Sequence, residues 1–502
     1  MRPLSKSKIL AFRQCPKRLW LEVHHPELKE DSPMTQTSYQ IGHSVGEIAR
    51  KIYDLSGTGA FIDPQNEGYK AAFERSALLL KRGEGPIFEA GFRTKDTLAF
   101  ADVMIPIPGK GGTTWKMVEV KSSTTVKDYH REDVAIQTLI ATEMGVKLSS
   151  VAVAHIDNTW IYRKLGNFQG LLLENDLTAE TLERSKEAKG WIKNAKITAA
   201  QAKEPKVEMG AHCFDPFECG FCSYCSRGTV EPDFPVSWFP RFSAKQRAEL
   251  EVLGVDDMRH VPEELLTPKQ RLVREHTING TVFFDAKQAL ASLSRSQFPA
   301  YFLDFETTNP AVPIWIGSRP YQQLPFQFSV HSVSKALKLQ HSEFLDVSGE
   351  DPRRGIAEAL IKACGKRGPV FAYNASFEAG VIRALTEKFR DLAPELEAIG
   401  DRIVDLLPIA QNCFYDPSQQ GSWSIKKVLP AAVPELSYDN LPGVKDGGMA
   451  MVAYVEAIHP ETTLERREQI RQELLAYCHL DTLAMAGLWK FFLGLDEPKL
   501  SQ

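Results

Sequence analysis

The chain has 502 residues, 43% of them hydrophobic, and a formal net charge of −4 at pH 7; such a length can bury two or three cores, so several domains are expected. Apolar runs such as FFLGL and LIATEMGV stop far short of the about 20 residues a membrane helix needs, and MRPLSKSKIL lacks a secretory apolar core, which together predict a cytoplasmic protein with no membrane partner. The small negative charge excludes a global attraction to nucleic acid, so any such binding must use local patches.

The first 30 residues supply one patch, with seven Lys or Arg against three Glu. Within them SKSKILAFRQCPKRLWL reads as a basic helical segment carrying Cys15, and GHSVGEIARKIYD reads as a further helix with His43 and Glu47. Phe100 to Ile105 is a strand-like run containing Asp102. After the turn GKGG comes a second, WKMVEVKSS, in which alternation places Glu119 and Lys121 on one face. The helical segment DVAIQTLIATEMG then carries Gln137. Each residue also has a plain reading, since surface strands often alternate as Glu-Val-Lys does and a glutamate on a helix surface is ordinary.

Eight cysteines are present, and four crowd into CFDPFECGFCSYC as Cys213, Cys219, Cys222 and Cys225. Cys364, Cys413 and Cys478 stand alone in apolar or helical contexts and read as core residues, while His212 beside Cys213 reads as a bystander or a metal ligand. Disulfides are not expected in a chain of this size without a secretory leader. The stretch SRGTVEPDFPVSWFP marks an exit from the first domain, and the pattern turns helical from 229 to 295. In that stretch RAELEVLGVDDMRHVPEELL has one glycine, Gly254, of the two that a helix-hairpin-helix needs, so a structural connector is expected.

Four acids are ordered through the remainder: Asp304 and Glu306 in YFLDFETT, Glu378 in AYNASFEAG, and Asp481 in AYCHLDT. Tyr301 to Leu303 reads as a buried strand, and alternation aims Asp304 and Glu306 at one point. From about Glu473 to Lys490 the pattern is helical, so Tyr477 and Asp481, four apart, share a face. Hard Mg²⁺ or Mn²⁺ prefers carboxylate oxygen, and two such ions about 3.5–4 Å apart can activate water and stabilise a leaving alkoxide in phosphodiester cleavage. Ser422 and Ser424 read as helix N-caps before Ile425, with Lys426 facing either phosphate or solvent.

These motifs carry two resemblances. The segment from about Pro299 to Leu495 resembles the DnaQ-like branch of the ribonuclease-H-type fold, whose 3′-to-5′ exonucleases have three short motifs; LDFET, YNASFE and AYCHLDT resemble them, the last in its tyrosine form because position 476 is Ala rather than His. Glu378 departs from the usual Asp. The strings AVPIWIGSRPYQQLPFQFSVH and GSWSIKKVLP resemble a group of uncharacterised bacterial proteins with this domain at the C-terminus. The N-terminal layout resembles the PD-(D/E)XK nucleases of RecB type. That implies metal ligation by Asp102 and Glu119, a catalytic Lys121, and supporting roles for Gln137 and Glu47, with Ala141 where a Tyr is usual.

Cys15 before this core and the cysteines after it resemble the iron-sulfur members of the RecB and AddB group, including the CRISPR adaptation nucleases. The resemblance implies a [4Fe-4S] cluster on Cys15, Cys213, Cys219 and Cys225, with Cys222 as an alternate ligand; a structural zinc site would use the same thiolates.

The expected architecture is α/β. It comprises a restriction-endonuclease-like PD-(D/E)XK domain over 1–228, a helical connector over 229–295, and a ribonuclease-H-like mixed sheet domain over 296–502. The expected function is metal-dependent cleavage of DNA, single-stranded or at duplex ends, with Asp304, Glu306, Glu378 and Asp481 holding metals at the C-terminal centre and Tyr477 orienting water. Repair, recombination or defence is the implied context. With no GxxxxGK[ST] loop, unwinding would need a helicase partner. Two alternatives stay open: a nucleic-acid-binding scaffold with one or both centres inactive, and an RNA-processing exonuclease.

Overall fold

Short apolar runs of the N-terminal half pair into a seven-stranded mixed sheet in the computed structural model, which describes residues 2–228, 231–293 and 298–495. Its elements are β1 (Leu4–Ser5), α1 (Lys6–Gln14), α2 (Pro16–His24), α3 (Pro33–Tyr53), β2 (Ala60–Phe61), α4 (Tyr69–Arg82), β3 (Ile87–Arg93), β4 (Thr97–Ile107), β5 (Thr114–Lys121), α5 (Asp128–Glu143), β6 (Leu148–Ile156), β7 (Leu172–Asp176) and α6 (Thr178–Ala199). Strand order is β2-β3-β4-β5-β6-β7, with β1 pairing to β4. Strands β3, β4 and β5 are antiparallel neighbours, whereas β5 and β6 run parallel, and α5 makes the crossover that a parallel pair requires.

Helix α5 is buried continuously from Asp133 to Ala141, and its Val134, Ile136 and Ile140 share a core with Met104, Met117 and Val153. Between α1 and α2 the chain breaks for a local reason. Pro16 has no amide hydrogen to continue a helix, so α1 ends at Gln14 and Cys15 takes an extended conformation before α2 begins.

The chain divides into two units, Met1–Thr229 with Asn309–Gln322, and Val230–Thr308 with Gln323–Gln502. Residues 309–322 thus belong with the first unit. There Ala311, Val312 and Tyr321 pack against Val45, Ile48 and Leu171, the Gly317 amide donates to the Tyr162 carbonyl at 2.7 Å, and the Tyr321 hydroxyl donates to the Ser122 carbonyl.

The second unit contains α7 (Ala244–Leu253), α8 (Pro268–Asn279), β8 (Phe283–Phe284), α9 (Ala286–Leu293), β9 (Ala300–Thr308), β10 (Leu324–Val333), β11 (Leu339–Leu345), α10 (Arg353–Cys364), β12 (Val370–Ala372), α11 (Ser376–Lys388), α12 (Ala393–Gly400), β13 (Ile403–Asp405), α13 (Leu407–Cys413), β14 (Phe414–Tyr415), α14 (Ile425–Ala432), α15 (Gly447–Ala457) and α16 (Leu464–Leu493). The main sheet has the order β11-β10-β9-β12-β13. Strand β9 is central, antiparallel to β10 and parallel to β12. One face buries Leu303, Phe305, Phe328 and Val330 against Ile356, Leu360, Val381 and Leu385 of α10 and α11. On the other face Phe302 meets Trp489 of α16, ring centroids 5.6 Å apart.

Helix ends in this unit are set by local sequence. Ser243 and Gln246 form a capping box on α7, and Gly254 closes it with φ +65°, so that glycine is a helix terminator. Thr267, Pro268 and Gly280 do the same for α8. The composition-based partition differs from this division in two ways: residues 231–293 fold with the C-terminal unit, and 309–322 fold with the N-terminal one. The expected boundary residues 229, 295 and 296 lie outside the described residues. Among the described residues no helix is long and apolar enough to cross a membrane.

Gly421 has φ +73°, and a Cβ placed on it would lie 1.6 Å from the Trp238 carbonyl oxygen. Gly421→Ala should therefore destabilise the second unit by about 3 kcal/mol or more. Gly380→Ala, on the exposed side of α11 with nothing within 4 Å, should be neutral or slightly stabilising. Thermal or urea unfolding of both variants checks the contrast.

Candidate metal centres

Strand alternation in β9 puts Asp304 and Glu306 on the face toward α16, and α16 returns Asp481 to the same point. Ligand oxygens of these three lie within 4.8 Å of one another. Glu378 enters from the first turn of α11, buried, with Oε2 lacking a hydrogen-bond partner. Burial, then Asp481, Glu306 and Glu378, hold Asp304 well above the ordinary carboxylate range. Burial and Asp481 do the same to Glu306, against the opposing pull of Lys426. Burial lifts Asp481 to about 6, despite hydrogen bonds from Tyr438 and Tyr477, and lifts Glu378 to about 8. A buried cluster of acids so short of positive charge could hold a cation, because either protons or a cation must offset its charge.

The aromatic and basic surroundings were only partly foreseen. Tyr477 is buried beside Asp481 as expected, but Tyr438 is a second phenol there and donates to Asp481 Oδ1 at 2.6 Å. The Lys426 amine sits 5.3 Å from the Tyr477 ring centroid and 5.6 Å from that of Tyr438, donates to the Lys445 carbonyl at 2.6 Å, and is close enough for its charge to act on Glu306 and Asp481. Ser424 is the N-cap of α14, although its side chain makes no capping bond, and Ser422 Oγ accepts from the Ser424 amide. Cys478 is buried, with Sγ 3.5 Å from Asp304 Oδ2. Tyr438 opens a three-residue 3-10 helix, Tyr438–Asn440, too short for periodicity to announce it, and only the neighbouring motif points to Cys478.

In the first unit Asp102 on β4, Glu119 and Lys121 on β5, and Gln137 on α5 do converge. Gln137 Nε2 donates to Glu119 Oε2 at 2.6 Å, Lys121 Nζ bonds Glu119 Oε1 at 2.6 Å, and the Val120 amide donates to Asp102 Oδ2 at 2.6 Å. Three further groups complete the set. Lys6, from the first turn of α1, reaches Glu119 Oε1 and Asp133 Oδ1, each at 2.9 Å, and Asp133 also holds Lys121 at 2.6 Å. Glu89, at φ 57° in β3, lies close enough to Glu119 that the two repel.

Burial opposes the charges on Lys6 and Lys121, yet Asp133, Glu119 and Asp102 outweigh it and raise both. Burial, Glu119 and Glu89 raise Asp102 well above the carboxylate range. Glu47 is not brought to this centre: it is exposed on α3, where its ion pair is with Arg50 at 4.0 Å, and the α3 charges that reach Glu89 are Arg50 and His43. Lys6 is remote in sequence and stands in a run of basic residues, and Asp133, in the second turn of α5, belongs to no motif, so neither is legible in the sequence.

A third constellation lies in the same unit. Cys15, Cys213, Cys219, Cys222 and Cys225 line one cavity together with His212, Lys17 and Arg18. The loop is wound tightly: the Cys219 amide donates to the Cys213 carbonyl at 2.7 Å, and the Cys222 amide to that of Cys219 at 3.1 Å. Burial and the neighbouring thiols push Cys222 up to about 11. Five free thiols on one cavity fit a thiolate-bound metal or cluster in donor type and number, and the cations of Lys17 and Arg18 would offset its charge. His212 Nε2 is 3.7 Å from Cys213 Sγ. Cys364 and Cys413 are fully buried in the second unit, as expected of core residues.

The raised carboxyls give a pH signature. A carboxyl that binds its proton more tightly when folded contributes stability that is complete below its unfolded value, near about 4, and is lost as pH rises through its folded value. Metal-free protein should therefore lose thermal stability between about pH 4 and pH 8, through Asp481 at about 6 and Glu378 at about 8. Asp481→Asn should flatten the lower part of that decline and Glu378→Gln the upper part. Mn²⁺ should raise the midpoint more at pH 8 than at pH 5.5. Calorimetric scans across this range are the check.

Residues 301–424 match a family model described as a domain of unknown function (DUF2779), a span that contains Asp304, Glu306 and Glu378 but ends before Tyr477 and Asp481. A search of curated proteins finds no match.

Proposed function

We propose that the chain is a metal-dependent phosphodiesterase acting on DNA, with a 3′-to-5′ exonuclease centre in the second unit and a RecB-type nuclease centre in the first. The observation that carries this reading is the meeting of Asp304, Glu306 and Asp481 within 4.8 Å, on a central strand and a helix distant in sequence, with Glu378 buried nearby. Solvated acids have no reason to gather in this way. The central strand β9, antiparallel to β10 and parallel to β12, supports the ribonuclease-H-like reading of the sheet.

Asp304, Glu306, Asp481 and Glu378 would hold divalent cations, which make water nucleophilic near neutral pH and stabilise the departing oxygen. Tyr438 fixes Asp481 by donating to its Oδ1 at 2.6 Å, and Tyr477 bonds the same carboxylate. Tyr477 presents its hydroxyl beside Asp481, where it can orient the attacking water. Lys426 supplies the positive charge nearest these acids, suited to a phosphate oxygen. In the first unit Lys121 stands between Glu119 and Asp133; Asp102 and Glu119 would hold a divalent cation, and Lys121 would act beside the scissile phosphate.

The cysteine cavity would hold a [4Fe-4S] cluster as a structural tie between Cys15 on the N-terminal segment and the loop from Cys213 to Cys225. Thiolate-bound iron has no evident part in hydrolysis.

A second reading has its own support. Both Glu119 oxygens are engaged, one by Lys6 and Lys121 and the other by Gln137, while Asp102 Oδ2 accepts from the Val120 amide. An N-terminal centre satisfied in this way could bind nucleic acid without cutting it.

With Mn²⁺ and a 5′-labelled single strand, the wild-type chain should yield a ladder of shortened products, and Asp304→Ala should slow its formation by on the order of 10²–10³-fold. Lys121→Ala should remove a separate cleavage pattern and spare the ladder. Unchanged trimming in Asp304→Ala would sink the C-terminal assignment, and retention of the strand without any Lys121-dependent cutting would favour the binding reading for the first unit. Matched RNA oligomers decide between polymers. Anaerobically purified protein should contain about four iron and four acid-labile sulfide per chain; comparison of Cys222→Ser with Cys225→Ser should show which thiol is dispensable, and zinc in place of iron would overturn the cluster.

A further inference from the structure

Three histidines in the second unit stand apart from both carboxylate centres. His331 on β10 and His341 on β11 are direct cross-strand partners, and His479 on α16 lies over them. Ring centroids are 4.5 Å apart for His331 and His341, 4.7 Å for His331 and His479, and 4.4 Å for His341 and His479. One ligating nitrogen from each comes within 4.8 Å of the others. Three imidazoles converging from a helix and two strands provide the donor set of a borderline-soft divalent ion, and unlike the carboxylate site they contribute no charge and no hard oxygen.

The surroundings orient the rings as ligand partners do. His331 Nδ1 is 2.7 Å from Thr482 Oγ1, and His341 Nε2 is 2.9 Å from Ser329 Oγ, so each of these two rings has one nitrogen engaged and the other left for an ion. Ser329 and Thr482 hydroxyls lie 2.7 Å apart, linking β10 to α16 beneath the rings. Burial and the adjoining imidazoles also keep His331 and His341 neutral, with values lowered to about 3 and about 4. Glu343 Oε2 lies 3.9 Å from His341 Nε2, on the side of that ring already engaged by Ser329.

We propose that His331, His341 and His479 form a site for a transition-metal dication of the zinc class. Its position gives the ion a structural task. It would fasten α16, which carries Tyr477 and Asp481, to β10 and β11 of the sheet whose central strand carries Asp304 and Glu306. The site does not depend on the nuclease reading, because it shares no ligand with either acidic centre.

The test uses the full chain, stripped of metal and then given Co²⁺ or Zn²⁺ in saturating Mg²⁺, which occupies the carboxylate sites. Wild type should retain one more equivalent after gel filtration than the double variant His331→Gln/His341→Gln. Its Co²⁺ spectrum should include ligand-field bands without thiolate charge transfer that the variant lacks, whereas thiolate bands from the cysteine cavity should persist in both. Equal retention by a folded variant would overturn the proposal. If the double variant does not fold, protection in the wild type decides: Zn²⁺ should shield the partly exposed His341 and His479 from diethyl pyrocarbonate, and unaltered labelling would equally overturn the site.

Discussion

Carboxylates that are buried without enough positive charge around them are the constraint on which the second unit turns. Burial raises the proton affinity of Asp304, Glu306, Asp481 and Glu378, and neighbouring acids raise Asp304 and Glu306 further, with Lys426 opposing at Glu306 and Asp481. Holding like charges together out of water costs stability unless protons or cations neutralise them. The fold tolerates this because Asp304 and Glu306 project from a central strand whose opposite face is anchored in a large apolar core. Helix α16 is in turn fixed by Trp489 against Phe302 and by the Gln327 amide bonded to the Leu474 carbonyl. Rigid packing on both sides leaves the acids no route to separate.

The first unit meets the same problem with an internal answer. Its acids, Glu89, Asp102, Glu119 and Asp133, are interleaved with Lys6 and Lys121, and Asp133 is driven below the ordinary carboxylate range by those two cations after burial has pushed the other way. Charge balance is therefore largely internal in this centre and external in the other. The contrast explains why the two proposed centres should respond differently to added metal: in one a cation fills a deficit, in the other it must displace lysines.

Helix α16 links several of these features because its two sides face different chemistry. One side offers Tyr477 and Asp481 to β9, while His479, two residues before the acid, points to β10 and β11. A 30-residue helix with buried residues along most of its length can carry both because tertiary packing, more than its own propensity, stabilises it. Thr463 at its N-cap and Gly494 at φ +63° fix its ends.

By itself the sequence determined the elements whose residues are close in the chain. Strand alternation in LDFE, the i, i+4 relation of Tyr477 and Asp481, the hairpin from Asp102 to Lys121, and the break at Cys15-Pro16 all follow from local geometry, so they were legible. So was the grouping of Cys213 to Cys225. Tertiary structure alone decided the partners that arrive from afar. Lys6 reaches Glu119 across 113 positions, Tyr438 reaches Asp481 across 43, and three histidines from two strands and a helix become neighbours. It also decided that Glu47 faces solvent and that residues 309–322 fold with the first unit. Periodicity reports which face of an element is buried, but what that face meets depends on packing between segments that carry no mutual signal in the linear chain.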